Sequence, residues 1–260
     1  MNRPALVVVA FHESAPSDVE ALLPCLVSLR STAPQAQVLL VEDRAPGGPS
    51  LAEAAAEELG VVYVDQDDGA GLVAAANAGL EVARGAGLDA VLVGPDVELQ
   101  QAGWLERMQA RADTQGRPAA IVGGRIEHAD GLIAHAGFYY SVLRRRWTNR
   151  FVGVPAEIAE AHAPTLCPVG AELQLIRWET LQAVGLLDPE LEAPYAAIDY
   201  GLRTFEAGLE SVYEPAAAGR RPGTVKPTRR EESDAEALAR HCVESRHAPA
   251  LLNRFVPDIV

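Results

Sequence analysis

The sequence predicts an α/β protein whose central sheet is mixed, mainly parallel and flanked by helices. Two observations lead to this prediction: short apolar runs recur along the first half of the chain, and segments with helical spacing separate them. A continuous apolar run is typical of a strand covered on both faces, as in a parallel sheet with crossover helices. The predicted strands are ALVVVAF (5–11), QVLLV (37–41), GVVYV (60–64), DAVLV (89–93) and AAIV (119–122).

Helices are predicted between these strands. The first has apolar residues at helical spacing, namely Val19, Leu22, Leu23, Leu26 and Leu29. Ser50 and Glu53 form a capping box ahead of the second, and Gly60 suits the position just past its end. The third is predicted from about residue 71 to residue 84, and the fourth carries Trp104. This alternation implies a doubly wound sheet, whose ligands bind outside the carboxyl ends of the strands.

The pattern changes after residue 124. An Asp130-Gly131 turn between short β-like arms predicts a hairpin or a meander. Residues 199–215 are predicted to form a helix followed by a strand, residues 219–230 a mobile loop, and residues 233–246 a capped helix. The tail beyond that helix is apolar, so it either covers the core or pairs two copies in a homodimer.

The composition excludes several classes of protein. The chain has 36 acidic and 22 basic residues, a net charge of −14. Because nucleic-acid affinity comes mainly from cations that neutralise phosphates, no nucleic-acid partner is expected. The longest apolar stretch near the start is LVVVAF (6–11), whereas a membrane span needs about 20 residues. Three widely spaced cysteines favour a cytoplasmic protein with mostly buried thiols over a disulfide framework.

Carboxylates follow three of the predicted strands. Glu42 and Asp43 follow the second, residues 65–68 include three aspartates after the third, and Asp96 and Glu98 follow the fourth. Because the carboxyl ends of parallel strands meet at one edge, these acids can bind a base, a ribose or a cation that bridges phosphates. Acids after strands also serve as turn formers and helix N-caps, and that interpretation stays open for each of them.

Five segments, taken in order, resemble motifs of inverting family-2 glycosyltransferases, in particular rhamnosyltransferase-like members. They are GAGLVAAANAGLEVARG (69–85), AVLVGPDVELQQAGWL (90–105), VGGRIEHADGLIAHAG (122–137), VGAELQLIRWETLQAVGLLDPEL (169–191) and DYGLRTFEAGLESVYEP (199–215). The resemblance implies the Rossmann-like GT-A fold of nucleotide-diphospho-sugar transferases. The resemblance also implies one domain at 1–230, followed by a C-terminal helix and tail at 231–260. The domain has a nucleotide-sugar-binding half (1–123) and an acceptor half (124–230).

The resemblance implies transfer of a sugar, with inversion, from a nucleoside-diphosphate donor to a glycan or lipid-linked acceptor in polysaccharide biosynthesis. Such enzymes aim a base at the acceptor hydroxyl and hold a metal on the diphosphate. Asp96 falls on the last aspartate of the family's Asp-x-Asp metal motif. The positions implied to bind the nucleotide sugar are Phe11, His12, Glu42, Asp43, Asp96, Arg220 and Arg221.

The chain departs from the family where the chemistry occurs. Gly94 stands at the first acid of the metal motif, and Arg221 falls near a histidine that often completes the metal site. Both replacements count against a divalent cation (Mn²⁺ or Mg²⁺). The acidic pair that normally supplies the base falls on Ala196 and Ala197, which leaves Asp199 as the nearby acid and the implied catalytic residue.

Two accounts fit these departures. In the first, the chain is a working transferase in which arginine and lysine side chains neutralise the diphosphate, namely Arg220, Arg221, Lys226, Arg229 and Arg230. Asp199, His12 or His135 is then the base. In the second, it is a catalytically degenerate, transferase-like binding or scaffold protein. A third interpretation is a dinucleotide-binding protein, because residues 69–74 match Gly-x-Gly-x-x-Ala after a strand.

Arginines 144, 145, 146 and 150, with Trp147 among them, form the other notable pattern. They suit contact with an anionic lipid headgroup or a lipid-diphosphate acceptor, as in peripheral membrane contact. A solvated loop or a dimer contact is the plainer interpretation.

Overall fold

The structure, a computed structural model, describes residues 3–12, 16–44, 50–66, 69–114, 118–223, 233–247 and 249–256. The strands are β1 Ala5–Phe11, β2 Gln37–Asp43, β3 Val62–Gln66, β4 Asp89–Val93, β5 Glu98–Leu99, β6 Ile121–His128, β7 Ile133–His135, β8 Phe138–Ser141, β9 Arg146–Asn149, β10 Thr165–Leu166, β11 Leu173–Ile176 and β12 Ser211–Arg221. The helices are α1 Pro16–Thr32, α2 Leu51–Leu59, α3 Leu72–Ala86, α4 Trp104–Ala112, α5 Trp178–Ala183, α6 Tyr195–Glu206, α7 Asp234–Arg246 and α8 Pro249–Asn253, with a 3₁₀ turn at Ala159–His162.

Most of the described strands form one sheet, in the order β10, β12, β6, β11, β4, β1, β2, β3, with β5 beside β12 and β7 beside β6. β1 lies parallel to β2 and β4, β3 is parallel to β2, and β12 is parallel to β6. β11 is antiparallel to both of its neighbours, β4 and β6. The prediction of a mixed, mainly parallel sheet flanked by helices is confirmed. β8 and β9 form a separate antiparallel hairpin.

β1 shows why its apolar run is continuous. Val7 and Val9 pack into the core on one face of the sheet, together with Leu22 and Leu26 of α1. Leu6 and Val8 pack into the core on the other face. Successive strand residues point to opposite faces, so a strand covered on both sides needs an apolar residue at every position.

α3 approaches β1 closely because Gly79 has no side chain. A Cβ at Gly79 would lie 2.2 Å from Cγ1 of Val8, closer than any real contact. Gly71 begins the helix at φ 92°, in the left-handed region that favours glycine. These two glycines seat the N-terminus of α3 at the carboxyl ends of β1 and β2.

The second half contains two strands longer than expected. β6 continues through Gly123 and Gly124, where a Cβ would lie within 2.3 Å of Val169 or Leu173 side-chain atoms. Gly123 and Gly124 follow the predicted strand at 119–122, and in the structure they allow close packing within a longer strand. β12 continues to Arg221, so the mobile loop predicted at 219–230 is wrong for its first residues. The remainder of that segment, 224–230, lies outside the described residues.

The C-terminal tail covers part of the core. Ala239 and Val243 of α7, with Phe255 beyond α8, pack in one apolar cluster with Ile198 and Leu202 of α6. Ser233 and Glu236 form the reciprocal capping box that begins α7. Within the described ranges, no helix is both long enough and apolar enough to span a membrane.

Candidate active site

A cleft of about 670 Å³ opens at the carboxyl ends of β1 and β4. Its walls come from the N-terminus of α3, the loop that follows β4, the residues that precede β11, the base of the β8–β9 hairpin, α6 and the end of β12. Its polar lining residues are Asp96, Asn149, Glu172 and Arg221, and the rest of the lining is mainly apolar. The cleft therefore lies where a doubly wound sheet is expected to bind its ligand.

Asp96 and Arg221 form a bidentate ion pair in this cleft. Nε of Arg221 donates to Oδ2 of Asp96 at 3.1 Å, and Nη2 lies 2.9 Å from both carboxylate oxygens. The two side chains are 31% and 29% exposed, so the pair is only partly in contact with solvent. Burial alone would lower the pKa of Arg221, but the hydrogen bonds to Asp96 and the charges of Asp96 and Glu172 outweigh it and raise that pKa. Arg221 is a permanent cation at the edge of the cleft.

The residues around Asp96 do not fit a divalent cation. Both carboxylate oxygens already accept hydrogen bonds from Arg221, and Gly94 offers no side-chain ligand. In the described part of the chain, no group of three or more His, Cys, Asp or Glu residues is arranged to hold a metal. The guanidinium of Arg221 lies against the carboxylate that the resemblance assigns to the metal.

Glu172 is a cleft carboxylate that the sequence analysis missed. Its backbone oxygen accepts a hydrogen bond from the amide of Gly94 at 3.0 Å. Its side chain lies over Gly170, where Oε2 would be 2.3 Å from an added Cβ. Because β11 is antiparallel to β4, the residue that precedes β11 meets the residues that follow β4. A search for acids that precede strands, as well as acids that follow them, would have found it.

His135 connects β7 to the segments beside the cleft through its two ring nitrogens. Its Nε2 accepts hydrogen bonds from the amides of Gly170 and Gly137, at 2.8 and 3.2 Å. The proton must then be on Nδ1, which donates to Oδ1 of Asn149 at 3.1 Å. Since the lone pair of Nε2 already accepts two hydrogen bonds, His135 does not fit the role of a base.

Glu42 and Asp43 are buried at the end of β2 and do not line the cleft. Glu42 accepts hydrogen bonds from Ser50 Oγ at 2.6 Å and Tyr63 Oη at 2.5 Å, which ties β2 to α2 and β3. Oδ2 of Asp43 accepts a hydrogen bond from the amide of Gly71 at 2.9 Å, at the start of α3. Oδ1 of Asp43 is also buried and has no hydrogen-bond partner among the described residues.

The neighbours of Asp43 at the end of β1 differ in exposure. Phe11 is buried in the core beside α1. His12 is more than one-third exposed, and its Nδ1 lies 2.7 Å from the backbone oxygen of Asp43, so Nδ1 is the donor. Neither residue lines the cleft, although Ala10, which precedes Phe11 in β1, does.

Asp199 lies outside the cleft. Ala196 and Ala197 line it, but Asp199 is two to three residues further along α6 and projects from another side of the helix. Its Oδ2 accepts a hydrogen bond from Arg203 at 2.7 Å, and its Oδ1 is 3.1 Å from Nε2 of His247. Burial alone would raise the pKa of Asp199, but these hydrogen bonds outweigh it and lower that pKa. The expectation that Asp199 is the base does not fit this placement.

The two arginines at the end of β12, Arg220 and Arg221, differ in whether they line the cleft. Arg221 lines the cleft, whereas Arg220 does not, as the alternation of side chains along a strand requires. The other predicted cations, Lys226, Arg229 and Arg230, lie outside the described residues, as do Asp67 and Asp68. The dinucleotide interpretation needs the amide of Gly71 for a phosphate, but that amide donates to Asp43.

The mixed sheet with its flanking helices is the GT-A fold of glycosyltransferases. Residues 6–149 match the family model described as glycosyl transferase family 2, and the chain belongs to that family. No curated protein matches the chain in sequence.

Solved structures resemble the chain in fold. A mannosyltransferase from Pyrobaculum calidifontis, solved in complex with GDP-Man and Mn²⁺, has a TM-score of 0.58 and 13% identity over 98% of this chain and 68% of its own. TarS from S. aureus has a TM-score of 0.55 and 13% identity over 86% of this chain. Residues 1–349 of TarS, solved with UDP, have a TM-score of 0.50 and 14% identity over 85% of this chain and 61% of that one. The chain spans only 37% of the length of TarS. At such identities the likeness establishes the fold.

Proposed function

We propose that the chain transfers a sugar from a nucleoside-diphosphate donor to a glycan or lipid-linked acceptor, with inversion, and that Arg221 takes the place of the divalent cation. The observation that carries the proposal is the ion pair between Asp96 and Arg221 in the cleft. The neighbours solved with GDP-Man and Mn²⁺ and with UDP support a nucleotide-sugar donor for the same fold.

Arg221 has donors left for a diphosphate. Asp96 engages Nε and Nη2, while Nη1 makes no hydrogen bond with the described part of the chain. When the bond from the anomeric carbon to the diphosphate oxygen breaks, the oxygen keeps the electron pair and negative charge builds up on the leaving group. A fixed guanidinium stabilises that charge, and Asp96 keeps it oriented.

Glu172 is the base in this proposal. Its carboxylate takes the proton of the acceptor hydroxyl while that oxygen attacks the anomeric carbon on the face opposite the diphosphate, which inverts the configuration. Two observations support this role: Glu172 lines the same cleft as Arg221, and its charge acts on Arg221. Ala196 and Ala197 also line the cleft, but neither can accept a proton.

Asp43 binds the base or ribose of the nucleoside in this proposal. Its buried Oδ1 makes no hydrogen bond with the described residues, and its Oδ2 is fixed by Gly71 beside the cleft residues Leu72 and Val73. An unpaired buried acceptor is costly, so a donor from the base or ribose would stabilise it.

A donor-hydrolysis and transfer assay with several nucleotide sugars, run with EDTA and with Mn²⁺, tests the proposal. Turnover that survives EDTA in the wild type and is lost in Glu172→Gln supports it. Asp199→Asn is the matched control, because that carboxylate lies outside the cleft and its loss should spare turnover. No turnover with any donor in either condition would contradict the proposal.

A binding protein without catalysis is the second candidate function. The observation that favours it is that Ala196 and Ala197 face the cleft at the positions where the resemblance places the acidic pair. This candidate predicts that UDP or GDP raises the melting temperature while no sugar is released from any donor.

A further inference from the structure

We propose that the tip of the β8–β9 hairpin, residues 142–146, docks the protein onto an anionic phospholipid surface. This surface is distinct from the cleft and does not depend on the proposed function. Its components are two exposed apolar side chains, Val142 and Leu143, followed directly by three arginines.

The apolar part of the tip has no role in the fold. Leu143 is 91% exposed and Val142 is 54% exposed, and neither belongs to an apolar core cluster. A single exposed leucine on a protein surface is ordinary. Two adjacent apolar side chains at the end of a projecting hairpin, next to cations, form the composition of an interfacial membrane contact.

The three arginines supply the charge complementarity. Arg144 and Arg145 are exposed and Arg146 is half-buried, and none makes an ion pair with a described residue. They stand in a chain whose net charge is −14, which would repel an anionic surface as a whole. Because charges beyond roughly 8 Å are largely screened at physiological ionic strength, the local cluster decides the contact.

The strands of the hairpin pack against the C-terminal part of the chain, which anchors the hairpin below its tip. Trp147 is buried against the rings of Tyr140 and Phe255, with centroids 5.7 and 5.9 Å away. The amide of Tyr140 donates to the backbone oxygen of Phe255 at 3.0 Å, and its hydroxyl donates to Glu244 at 3.2 Å.

The same hairpin connects the tip to the cleft. Phe138 pairs with Asn149 at its base, and both residues line the cleft. The four paired positions from Phe138 to Ser141 span about 10 Å along the strands and lead from the base to the tip. If the proposed transfer reaction holds, this geometry brings the cleft close to a lipid-linked acceptor.

Vesicle co-sedimentation with the full chain tests the proposal. Vesicles of phosphatidylcholine with about one-third phosphatidylglycerol should bind the wild type, and pure phosphatidylcholine vesicles should not. Each arginine near an anionic surface strengthens binding about fivefold, so Arg144→Gln/Arg145→Gln should weaken it on the order of twentyfold. Leu143→Asp should weaken it by roughly tenfold or more. Raising the salt concentration should weaken wild-type binding.

Matched variants elsewhere provide the controls. Leu238→Asp changes another exposed leucine, on α7, and Arg30→Gln/Arg107→Gln removes the same charge from α1 and α4. Both should bind vesicles like the wild type. Binding of UDP or GDP should be unchanged in the tip variants, which separates failure here from failure of the proposed function. The proposal would be overturned if the wild type did not bind vesicles, or if it bound neutral vesicles equally well. It would also be overturned if a tip variant converted a dimer into a monomer without affecting vesicle binding.

Discussion

Arg221 and Asp96 face each other in the cleft although 125 residues separate them in the chain. Asp96 follows β4, and Arg221 ends β12, which runs parallel to β6 as far as the pairing of Arg221 with His128. The fold thus provides a guanidinium beside the carboxylate that the family resemblance assigns to a metal.

Removing the guanidinium should weaken diphosphate binding. Hydrogen bonds to charged groups contribute about 1.5–3 kcal/mol, so Arg221→Ala should bind UDP or GDP roughly 10- to 100-fold more weakly in calorimetry with EDTA present. Arg220→Ala is the control, since Arg220 is not a cleft residue. Equal losses in the two variants would show that the cleft position is irrelevant.

Exchanging the cation for an imidazole should create a metal site. In Arg221→His, Asp96 loses its guanidinium partner and the histidine offers a nitrogen ligand, so Mn²⁺ should raise the melting temperature in the presence of UDP or GDP. The wild type should show the same nucleotide-dependent shift with and without Mn²⁺. A wild type that responds only when Mn²⁺ is added would refute the substitution of arginine for metal.

Neutralising Glu172 should slow the transfer reaction without weakening nucleotide binding. Loss of a general base typically slows turnover by about 10²–10⁴-fold, so Glu172→Gln should lower kcat by that order while UDP affinity stays near the wild-type value. Asp199→Asn should have the opposite profile, with a lower melting temperature and retained kcat. Full activity in Glu172→Gln would move the base to another residue.

The contact between α6 and the C-terminal residues should make stability depend on pH. Burial lowers the pKa of His247, but hydrogen bonds to Asp199 and Glu206 outweigh it and raise that pKa above its ordinary value of 6.5. The stability that His247 contributes is therefore complete below pH 6.5 and is lost as the pH rises through the raised pKa. Asp199, whose pKa is lowered, contributes above its ordinary value of 3.8 and loses that contribution as the pH falls below it.

Thermal scans of the wild type and His247→Gln between pH 5 and pH 9 measure this effect. The charged groups that contact the His247 ring are Asp199 and Glu206 of α6. Two arginines, Arg203 and Arg246, also form ion pairs with Asp199. The melting temperature of the wild type should fall, relative to the variant, as the pH rises. A change of about 1 kcal/mol corresponds to roughly 2–4 °C in a domain of this size. Parallel curves for the two proteins would exclude the contribution of His247.

Much of the fold follows from local sequence patterns. The continuous run of β1 predicts a strand with a core on each face, and Val7 and Val8 occupy the two cores. Ser50 and Gly60 occupy the cap positions of α2 that their residue types favour. Asp96 lies at the cleft because the end of a parallel strand fixes where the next residues emerge.

The chemistry of the cleft could be predicted only in part, because it depends on contacts between distant segments. Glu172 precedes a strand, and the antiparallel insertion of β11 beside β4 cannot be seen in its own sequence. Arg221 lies next to Pro222 and Gly223, which suggest a loop, yet pairing with β6 keeps it in a strand. Asp199 matches the family motif, but the phase of α6 and the packing of the segment after α7 turn it away from the cleft.

Phosphorus NMR of UDP or GDP mixed with the wild type in EDTA tests most directly whether a guanidinium replaces the metal. The diphosphate resonances should shift or broaden without any divalent cation, and Arg221→Ala should abolish the change while Arg220→Ala retains it. Resonances that stay at their free positions in EDTA and move only after Mn²⁺ is added would contradict it.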